Sequence, residues 1–261
     1  MKRIALAVIA FGTMAGSAAL AADLPPPALP RAPAVYIPAP IPVYNWTGFY
    51  IGGNAGVGWQ QGNLGDGFGN TFPTDNSIKG LGGGQVGVNY EFHTGVVVGA
   101  EAMFDWRFNN NNSSTITLNG LGGTPAGPAS ITVNNQWLTT ATGKLGYAWD
   151  QVMVYAKGGG AWVGSSNPTF VTTAGSFSPS LSNSNWGWTV GAGAEYAFYS
   201  GWSARIEYDY IGLTNQTFTV PAGTAGFNLA DQFTFNNRNI NMVTAGINYR
   251  FNWGGPVVAK Y

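Results

Sequence analysis

The sequence predicts an all-β fold: an eight-stranded antiparallel up-and-down transmembrane β-barrel with short turns at one end and long loops at the other. Three observations predict it. Between 46 and 251, eight segments alternate apolar and polar residues, as a strand with one apolar face does. The connections between them alternate between long and short. No stretch after the first 21 residues is apolar enough for a membrane helix, which leaves a closed barrel as the spanning structure.

The last segment, NMVTAGINYRF, shows the alternation best. Its apolar face consists of Val243, Ala245, Ile247, Tyr249 and Phe251, and its polar face of Thr244, Gly246, Asn248 and Arg250. In a soluble sandwich the apolar face would point into a core. In an outer-membrane barrel it points to lipid, and the polar face fills the lumen.

The N-terminus distinguishes between these alternatives. Lys2 and Arg3 precede an apolar run that ends in small residues at Ala19 and Ala21, which predicts a signal peptide at 1–21. A membrane anchor is the less favoured alternative, because the small-residue cleavage site follows directly. The mature chain is therefore expected to leave the cytoplasm, and it contains no cysteine for a disulfide.

Three further regions follow the signal peptide. Residues 22–45 are proline-rich and favour an extended periplasmic arm, with partner binding as an alternative role. Residues 46–251 form the predicted outer-membrane barrel, and 252–261 form a C-terminal tail.

The alternation defines eight strands in chain order. They are predicted at 49–59, 84–92, 96–106, 136–148, 152–163, 186–198, 202–210 and 241–251. Each is about long enough to cross a bilayer at a tilt. Short turns are predicted at 93–95, 149–151 and 199–201, and polar loops at 60–81, 107–135, 164–184 and 212–238.

Each predicted strand has its own residue pattern. The first alternates bulky residues from Phe49 to Trp59, and the second and third carry valines at every second position around a His-Thr-Gly turn. The fourth and fifth each place one lysine, Lys144 or Lys157, on the polar face. The sixth (WGWTVGAGAEYAF) and seventh (WSARIEYDY) alternate apolar residues with small or charged ones.

Aromatic residues cluster where the strands end, as an interfacial girdle requires. Those near the loop ends are Trp59, Trp106, Trp137, Trp162 and Trp186. Those near the turn ends are Phe92, Tyr147, Trp149, Phe198, Trp202 and Phe251.

Most charged residues of the mature chain fall on the inward face. They are Glu91, Glu101, Asp105, Arg107, Lys144, Lys157, Glu195, Arg205, Glu207, Asp209 and Arg250. Because eight strands leave a lumen that side chains can fill, these groups are predicted to pair and plug it. The alternative is a narrow water-filled path. Glycines predicted on the same face leave room for either arrangement: Gly84, Gly87, Gly99, Gly191 and Gly193.

Catalytic chemistry is not expected. Glu207 and Asp209 could act as acid and base, but both lie on one strand beside Arg205, which favours a salt-bridge ladder. His93 is the only histidine and lies in a predicted turn, so neither a Ser-His-Asp triad nor a zinc site is indicated. No cofactor is predicted, and a net charge of zero gives no basic field for nucleic acid.

Three segments carry a family resemblance: NWTGFYIGGNAG (45–56), GWTVGAGAEYAF (187–198) and WSARIEYDYIGL (202–213). They resemble the small immunogenic, porin-family outer-membrane proteins of Brucella and rhizobia, which have an OmpA-like barrel. The resemblance implies a Gram-negative outer membrane with lipid and lipopolysaccharide as surroundings. It also implies extracellular loops and periplasmic termini.

The segment TAGINYRF resembles a barrel insertion signal, with Thr244, Gly246, Tyr249 and Phe251 at the signal positions. The resemblance therefore implies periplasmic chaperones and the barrel-assembly machinery as partners during biogenesis. The chain departs from the family pattern because NWGGPVVAKY follows Phe251. Either an internal signal is recognised or the tail folds back into the periplasmic mouth.

Three functions remain open from the sequence. The first is a structural, surface-exposed barrel with a filled or very narrow lumen. The second is a diffusion porin for small hydrophilic solutes. The third is ligand or receptor binding through the loops, which contain Phe170, Phe177, Phe218, Phe227, Phe233 and Phe235. The oligomeric state, the solute and the ligand are not determined by the sequence.

Overall fold

Eight long strands close into an antiparallel ring. The computed structural model describes residues 44–67, 69, 71–73, 77–108, 112–119, 125–133, 135–165, 167–179 and 185–251. The predicted signal peptide (1–21), arm residues 22–43 and the tail (252–261) lie outside the described residues. Among those described, no helix is long and apolar enough to span a membrane.

The described strands, in chain order, are β1 (Gly48–Gly65), β2 (Thr71–Pro73), β3 (Lys79–Glu91), β4 (Val96–Arg107), β5 (Asn112–Asn119), β6 (Ala126–Val133), β7 (Asn135–Trp149), β8 (Val152–Ser165), β9 (Thr169–Thr172), β10 (Gly175–Phe177), β11 (Asn185–Tyr199), β12 (Trp202–Leu213), β13 (Gln216–Val220) and β14 (Asp231–Phe251).

The ring runs in the order β1, β3, β4, β7, β8, β11, β12 and β14, and β14 pairs with β1 to close it. The closing ladder sets Phe49 opposite Phe251 and Ala55 opposite Ala245. Every strand of the ring therefore has a hydrogen-bonded neighbour on both sides, which removes the open edges that a membrane does not tolerate. The predicted fold class, an eight-stranded antiparallel transmembrane barrel, is confirmed.

The three predicted turns join β3 to β4, β7 to β8 and β11 to β12. Gly95, Asp150 and Gly201 adopt positive φ angles of 81°, 52° and 77° in these turns. Short hairpins favour such angles, and Gly and Asp tolerate them best. The three turns define the turn end of the barrel, and the long connections define its loop end.

The loop end is more ordered than the sequence predicts. β1 continues to Gly65 instead of 59, and β14 begins at Asp231 instead of 241. The segments β5, β6, β9 and β10 pair as a separate four-stranded sheet. The predicted long connections therefore contain strands that the alternation did not predict, because Thr- and Ser-rich strands lack the large apolar residues that make alternation visible.

Alternation along the strands separates an outer from an inner face. The predicted girdle aromatics are exposed on the outer face, except that Trp59 and Trp137 are half-buried. Gly84 also lies on the outer face, opposite Phe104, and not on the inner face as predicted. Its neighbour Gln85 is the inward residue, and side chains in a strand alternate.

The barrel interior contains apolar layers near both ends. Near the turn end, one layer is formed by Trp46, Val97, Ala148, Met153, Tyr155 and Ala197. Near the loop end, a second layer is formed by Leu81, Met103, Leu138, Ala161, Val163, Ile211, Leu213, Ile240 and Met242. We call these the turn-end layer and the loop-end layer. Polar and charged side chains lie between them along the same strands.

Candidate functional site in the barrel lumen

Glu101, on β4, accepts hydrogen bonds from three cationic side chains in the lumen. Lys144 and Arg205 donate to one carboxylate oxygen at 3.0 and 2.6 Å, and Lys157 donates to the other at 3.4 Å. The Tyr50 hydroxyl donates to the same carboxylate at 2.6 Å. Because these donors come from β1, β7, β8 and β12, a single carboxylate connects five strands of the ring.

Lys157, on β8, is the second centre of this network. Its ammonium donates to Glu207 at 2.5 Å and lies 3.2 Å from an Asp209 carboxylate oxygen. Glu207 also accepts from the Tyr155 hydroxyl at 2.7 Å, and its other neighbour is Arg205 at 3.6 Å. All of these charged side chains are buried. We call the six residues Glu101, Lys144, Lys157, Arg205, Glu207 and Asp209 the central network.

Two inward glycines make room for the tyrosines of the network. A Cβ atom at Gly87 would lie 2.4 Å from the Tyr50 hydroxyl, and one at Gly193 would lie 2.7 Å from the Tyr155 hydroxyl. Such distances are far below van der Waals contact. The two tyrosine side chains therefore approach strand positions that only glycine can occupy without a shift.

A smaller polar cluster lies between the central network and the turn end. Glu195 accepts hydrogen bonds from Ser203 at 2.5 Å, from Asn248 at 3.0 Å and from Arg250 at 3.4 Å. Gln85 donates to the side-chain oxygen of Asn248 at 2.7 Å, which links β3 to β14. This cluster contains two of the predicted lumen residues, Glu195 and Arg250.

The three remaining predicted lumen charges lie nearer the two ends of the barrel. Glu91, half-buried at the turn end, accepts a hydrogen bond from the backbone N–H of Trp46 at 2.8 Å. Asp105 is 1% exposed, and Asn54 is its hydrogen-bonding neighbour. Asp105 and Arg107 both line an enclosed cavity of about 10 Å³ in the loop-end layer.

The four predicted insertion-signal residues all lie on β14. Thr244 points inward and is buried, whereas Tyr249 and Phe251 stack edge-to-face on the outer side with ring centroids 4.9 Å apart. Gly246 opposes Asn54 across the closing ladder. Their role as an insertion signal stays a prediction.

Several lumen residues were missed by sequence reasoning. Tyr50 lies on the polar face of its strand, so strict alternation from Phe49 and Ile51 would have found it. The same alternation places Met103 and Met242 on the inward face, where polar residues were expected. It does not show that they pack with Leu138 as an apolar layer, because that layer depends on contacts between strands.

The loop phenylalanines form a core and not an exposed patch. Phe170, Phe218, Phe227, Phe233 and Phe235 are buried together with aliphatic residues of β1, β5 and β6, and Phe177 packs against them. The Phe218 and Phe233 rings stack with centroids 5.5 Å apart. Packing between the loops accounts for these aromatics.

The lumen side chains are arranged for mutual pairing. Glu207 and Asp209 both contact Lys157, which holds each carboxylate in an ion pair. Among the described residues, no group of three or more His, Cys, Asp or Glu side chains is arranged to hold a metal ion.

A closed eight-stranded barrel with an apolar outer face and a paired, charged interior defines a class, the small outer-membrane β-barrel proteins. Residues 5–254 match the sequence model of the outer membrane protein beta-barrel domain family, and the chain belongs to that family. The family indicated by the sequence resemblance is confirmed. The protein is therefore located in the outer membrane, in contact with its lipid.

Two curated relatives and one solved structure are similar to this chain. The 31 kDa outer-membrane immunogenic protein of Brucella melitensis is 31% identical, over 96% of this chain and all of the relative. The 22 kDa outer membrane protein of Rhizobium leguminosarum is 27% identical, over 71% of this chain and 74% of the relative. OprG of Pseudomonas aeruginosa shares the fold, with a TM-score of 0.50 at 14% identity over 81% of this chain and all of OprG.

Proposed function

We propose that this protein is a structural, surface-exposed component of the outer membrane, with a lumen that its own side chains fill. The observation that carries the proposal is the central network. Five of its six residues have side chains with no exposed surface: Glu101, Lys144, Lys157, Arg205 and Glu207. A water-filled path would leave such groups accessible to solvent.

The layers on either side of the network support the same function. The loop-end layer has Met242, Ala161 and Ile211 at 0% exposure, and the turn-end layer has Trp46 at 0%. Apolar side chains packed across a narrow barrel exclude water and ions. Three different sections of the lumen are therefore occupied by protein atoms.

We further propose the orientation that outer-membrane barrels share. The short turns and the N-terminal segment face the periplasm, and the four-stranded loop sheet faces the outside. Chaperones and the barrel-assembly machinery deliver the chain, with β14 as the recognised strand. This proposal rests on the family pattern at Thr244, Gly246, Tyr249 and Phe251.

The protein is proposed not to be an enzyme. The carboxylates that could act as acid or base are held by cationic partners in the central network. His93 lies in the β3–β4 turn, away from the lumen.

The test is single-channel conductance of the refolded mature protein in a planar bilayer, with liposome swelling by small sugars in parallel. Folding is verified first by heat-modifiable gel migration. Folded protein that gives no stable openings and no sugar uptake supports a filled lumen. Steady openings with sugar uptake would overturn it and make the protein a diffusion porin.

A further inference from the structure

We propose that the segment Tyr44–Thr47 is a strap that crosses the turn-end mouth of the barrel and closes it. We call this segment the mouth strap. It precedes β1 in sequence, yet it does not continue the line of that strand. The proposal is independent of whether the rest of the lumen conducts.

The partners of the mouth strap lie across the full width of the ring. The indole N–H of Trp46 donates to the backbone carbonyl of Asp150 at 2.9 Å, and the Tyr44 N–H donates to the Asp150 carboxylate at 3.0 Å. Asp150 lies in the β7–β8 turn, and β8 is the fourth strand from β1 in either direction around the ring. The chain therefore enters β1 from the opposite side of the mouth.

Trp46 fills the opening that the mouth strap crosses. It has no exposed surface and packs with Val97, Met153 and Ala197 of three different strands. The Arg250 guanidinium lies 4.6 Å from the centroid of its ring, a cation–π contact in a desolvated site. One indole thus covers both the apolar residues of the mouth and the cation of the polar cluster beneath.

Local contacts hold the mouth strap in this path. Asn45 accepts a hydrogen bond from the Thr47 N–H at 2.8 Å, which bends the chain as an Asx turn does. Glu91 accepts from the Trp46 N–H at 2.8 Å, while its own N–H donates to the Thr47 hydroxyl at 3.0 Å. These reciprocal bonds fix the strap to the end of β3.

Gly48 allows the chain to leave the mouth and enter β1. Its φ angle is +143°, and a Cβ atom there would lie 2.5 Å from the Phe251 carbonyl oxygen. Only glycine fits this close approach to the last strand. Each residue of NWTG at 45–48 therefore has a structural role. Asn45 bends the chain, and Trp46 fills the mouth. Thr47 bonds to the end of β3, and Gly48 allows the close approach to the last strand.

Tyr44 completes the attachment to the last strand. Its hydroxyl accepts a hydrogen bond from Arg250 at 3.1 Å. Burial raises the pKa of the Tyr44 hydroxyl above its usual value, although the nearby Arg250 opposes the shift. The hydroxyl stays neutral near pH 7 and remains an acceptor for the guanidinium. Because these partners lie on β3, in the β7–β8 turn and on β14, the complete set of contacts forms only once the ring has closed.

The chain contains no cysteine, which makes thiol accessibility a direct test. Three single variants of the refolded mature protein in lipid vesicles are labelled with a membrane-impermeant maleimide. Ala197→Cys reports on the mouth beneath Trp46, Ala161→Cys on the loop-end layer, and Ser200→Cys on an exposed turn. Each is made with the native strap and with Trp46→Ala.

With the native strap, Ala197→Cys is expected to label slowly and Ser200→Cys rapidly. Trp46→Ala should accelerate labelling of Ala197→Cys by about tenfold or more, because labelling of a buried site follows the population of its open state. Trp46→Phe, which keeps a ring but loses the bond to Asp150, should give a smaller acceleration. If Trp46→Ala does not fold, as judged by heat-modifiable migration, Trp46→Phe alone tests the proposal.

Rapid labelling of Ala197→Cys with the native strap would overturn the proposal, as would unchanged slow labelling in folded Trp46→Ala or Trp46→Phe. Ala161→Cys separates this outcome from the proposed function. If it labels rapidly in the native background, the lumen is open from the loop end and the filled-lumen proposal fails. Slow labelling of Ala197→Cys in the same background would then still support the mouth strap, and its acceleration by Trp46→Ala remains the test.

Discussion

The middle and the loop end of the lumen differ in the side chains that the strands point inward: those in the middle are charged, and those at the loop end are apolar. In the middle, carboxylates and cations from four strands pair around Glu101 and Lys157. At the loop end, methionine, leucine and isoleucine side chains fill the same cross-section. Both regions are buried, but only the charged side chains of the middle depend on oppositely charged neighbours for their stability.

The difference follows from the cost of burying charge. A charged group in a low-dielectric interior is stable only with its partner, so loss of one member leaves the others uncompensated. An apolar layer loses only the transfer energy of the deleted atoms and the energy of the cavity left behind. Substitutions in the central network should therefore destabilise the barrel by amounts that depend strongly on which residue is changed. Substitutions in the loop-end layer should have more similar costs.

The largest effect is expected for Glu101→Gln. The substitution keeps the shape but removes the charge that Lys144, Lys157 and Arg205 share, and we expect a loss of about 3–5 kcal/mol in the free energy of unfolding. Urea unfolding in lipid vesicles, followed by heat-modifiable migration, measures it. The matched control is Asp209→Asn, which removes a carboxylate with one cationic neighbour and should cost less. Equal losses in the two variants would contradict the central position of Glu101.

The second effect tests the apolar region. Met242→Ala deletes a side chain with no exposed surface in the loop-end layer, and should cost about 2–5 kcal/mol in the same unfolding assay. Ile247→Ala is the control on the same strand, because Ile247 lies on the outer face and is 51% exposed. If the outer variant lost as much stability as the inner one, the loop-end layer would not be a packed core.

The sequence predicts the charged region of the lumen better than the apolar one. Alternation from 46 to 251 predicts the eight strands and their turns, because bulky outward residues mark the period. It also identifies charges such as Lys144 and Lys157, which stand out between apolar neighbours. It places Met103 and Met242 on the inward face, but it does not reveal that apolar residues of several strands pack there as a layer. Nor does it reveal that Trp46 turns back into the mouth, which depends on the distant residue Asp150.

The third effect concerns the space around the network. Gly87→Ala would place a methyl group 2.4 Å from the Tyr50 hydroxyl and displace the ring from Glu101. Overpacking of this kind costs about 1–3 kcal/mol. Gly53→Ala is the matched control, because the nearest atom to its Cβ position is a carbonyl oxygen at 3.7 Å. Similar unfolding midpoints for the two variants would show that Tyr50 has room to move.

The smallest effect is expected where the two regions meet. Asp105 is buried next to the loop-end layer, and among the described residues no ion pair holds its carboxylate. Asp105→Asn removes a charge whose burial is costly, so stability should rise or change by less than about 1 kcal/mol. The same urea assay at pH 7 decides this, with Glu101→Gln alongside. A loss as large as that of Glu101→Gln would mean that Asp105 belongs to the charged region. A gain would show that the pairing partners of a buried charge, and not its burial alone, determine whether it stabilises the barrel.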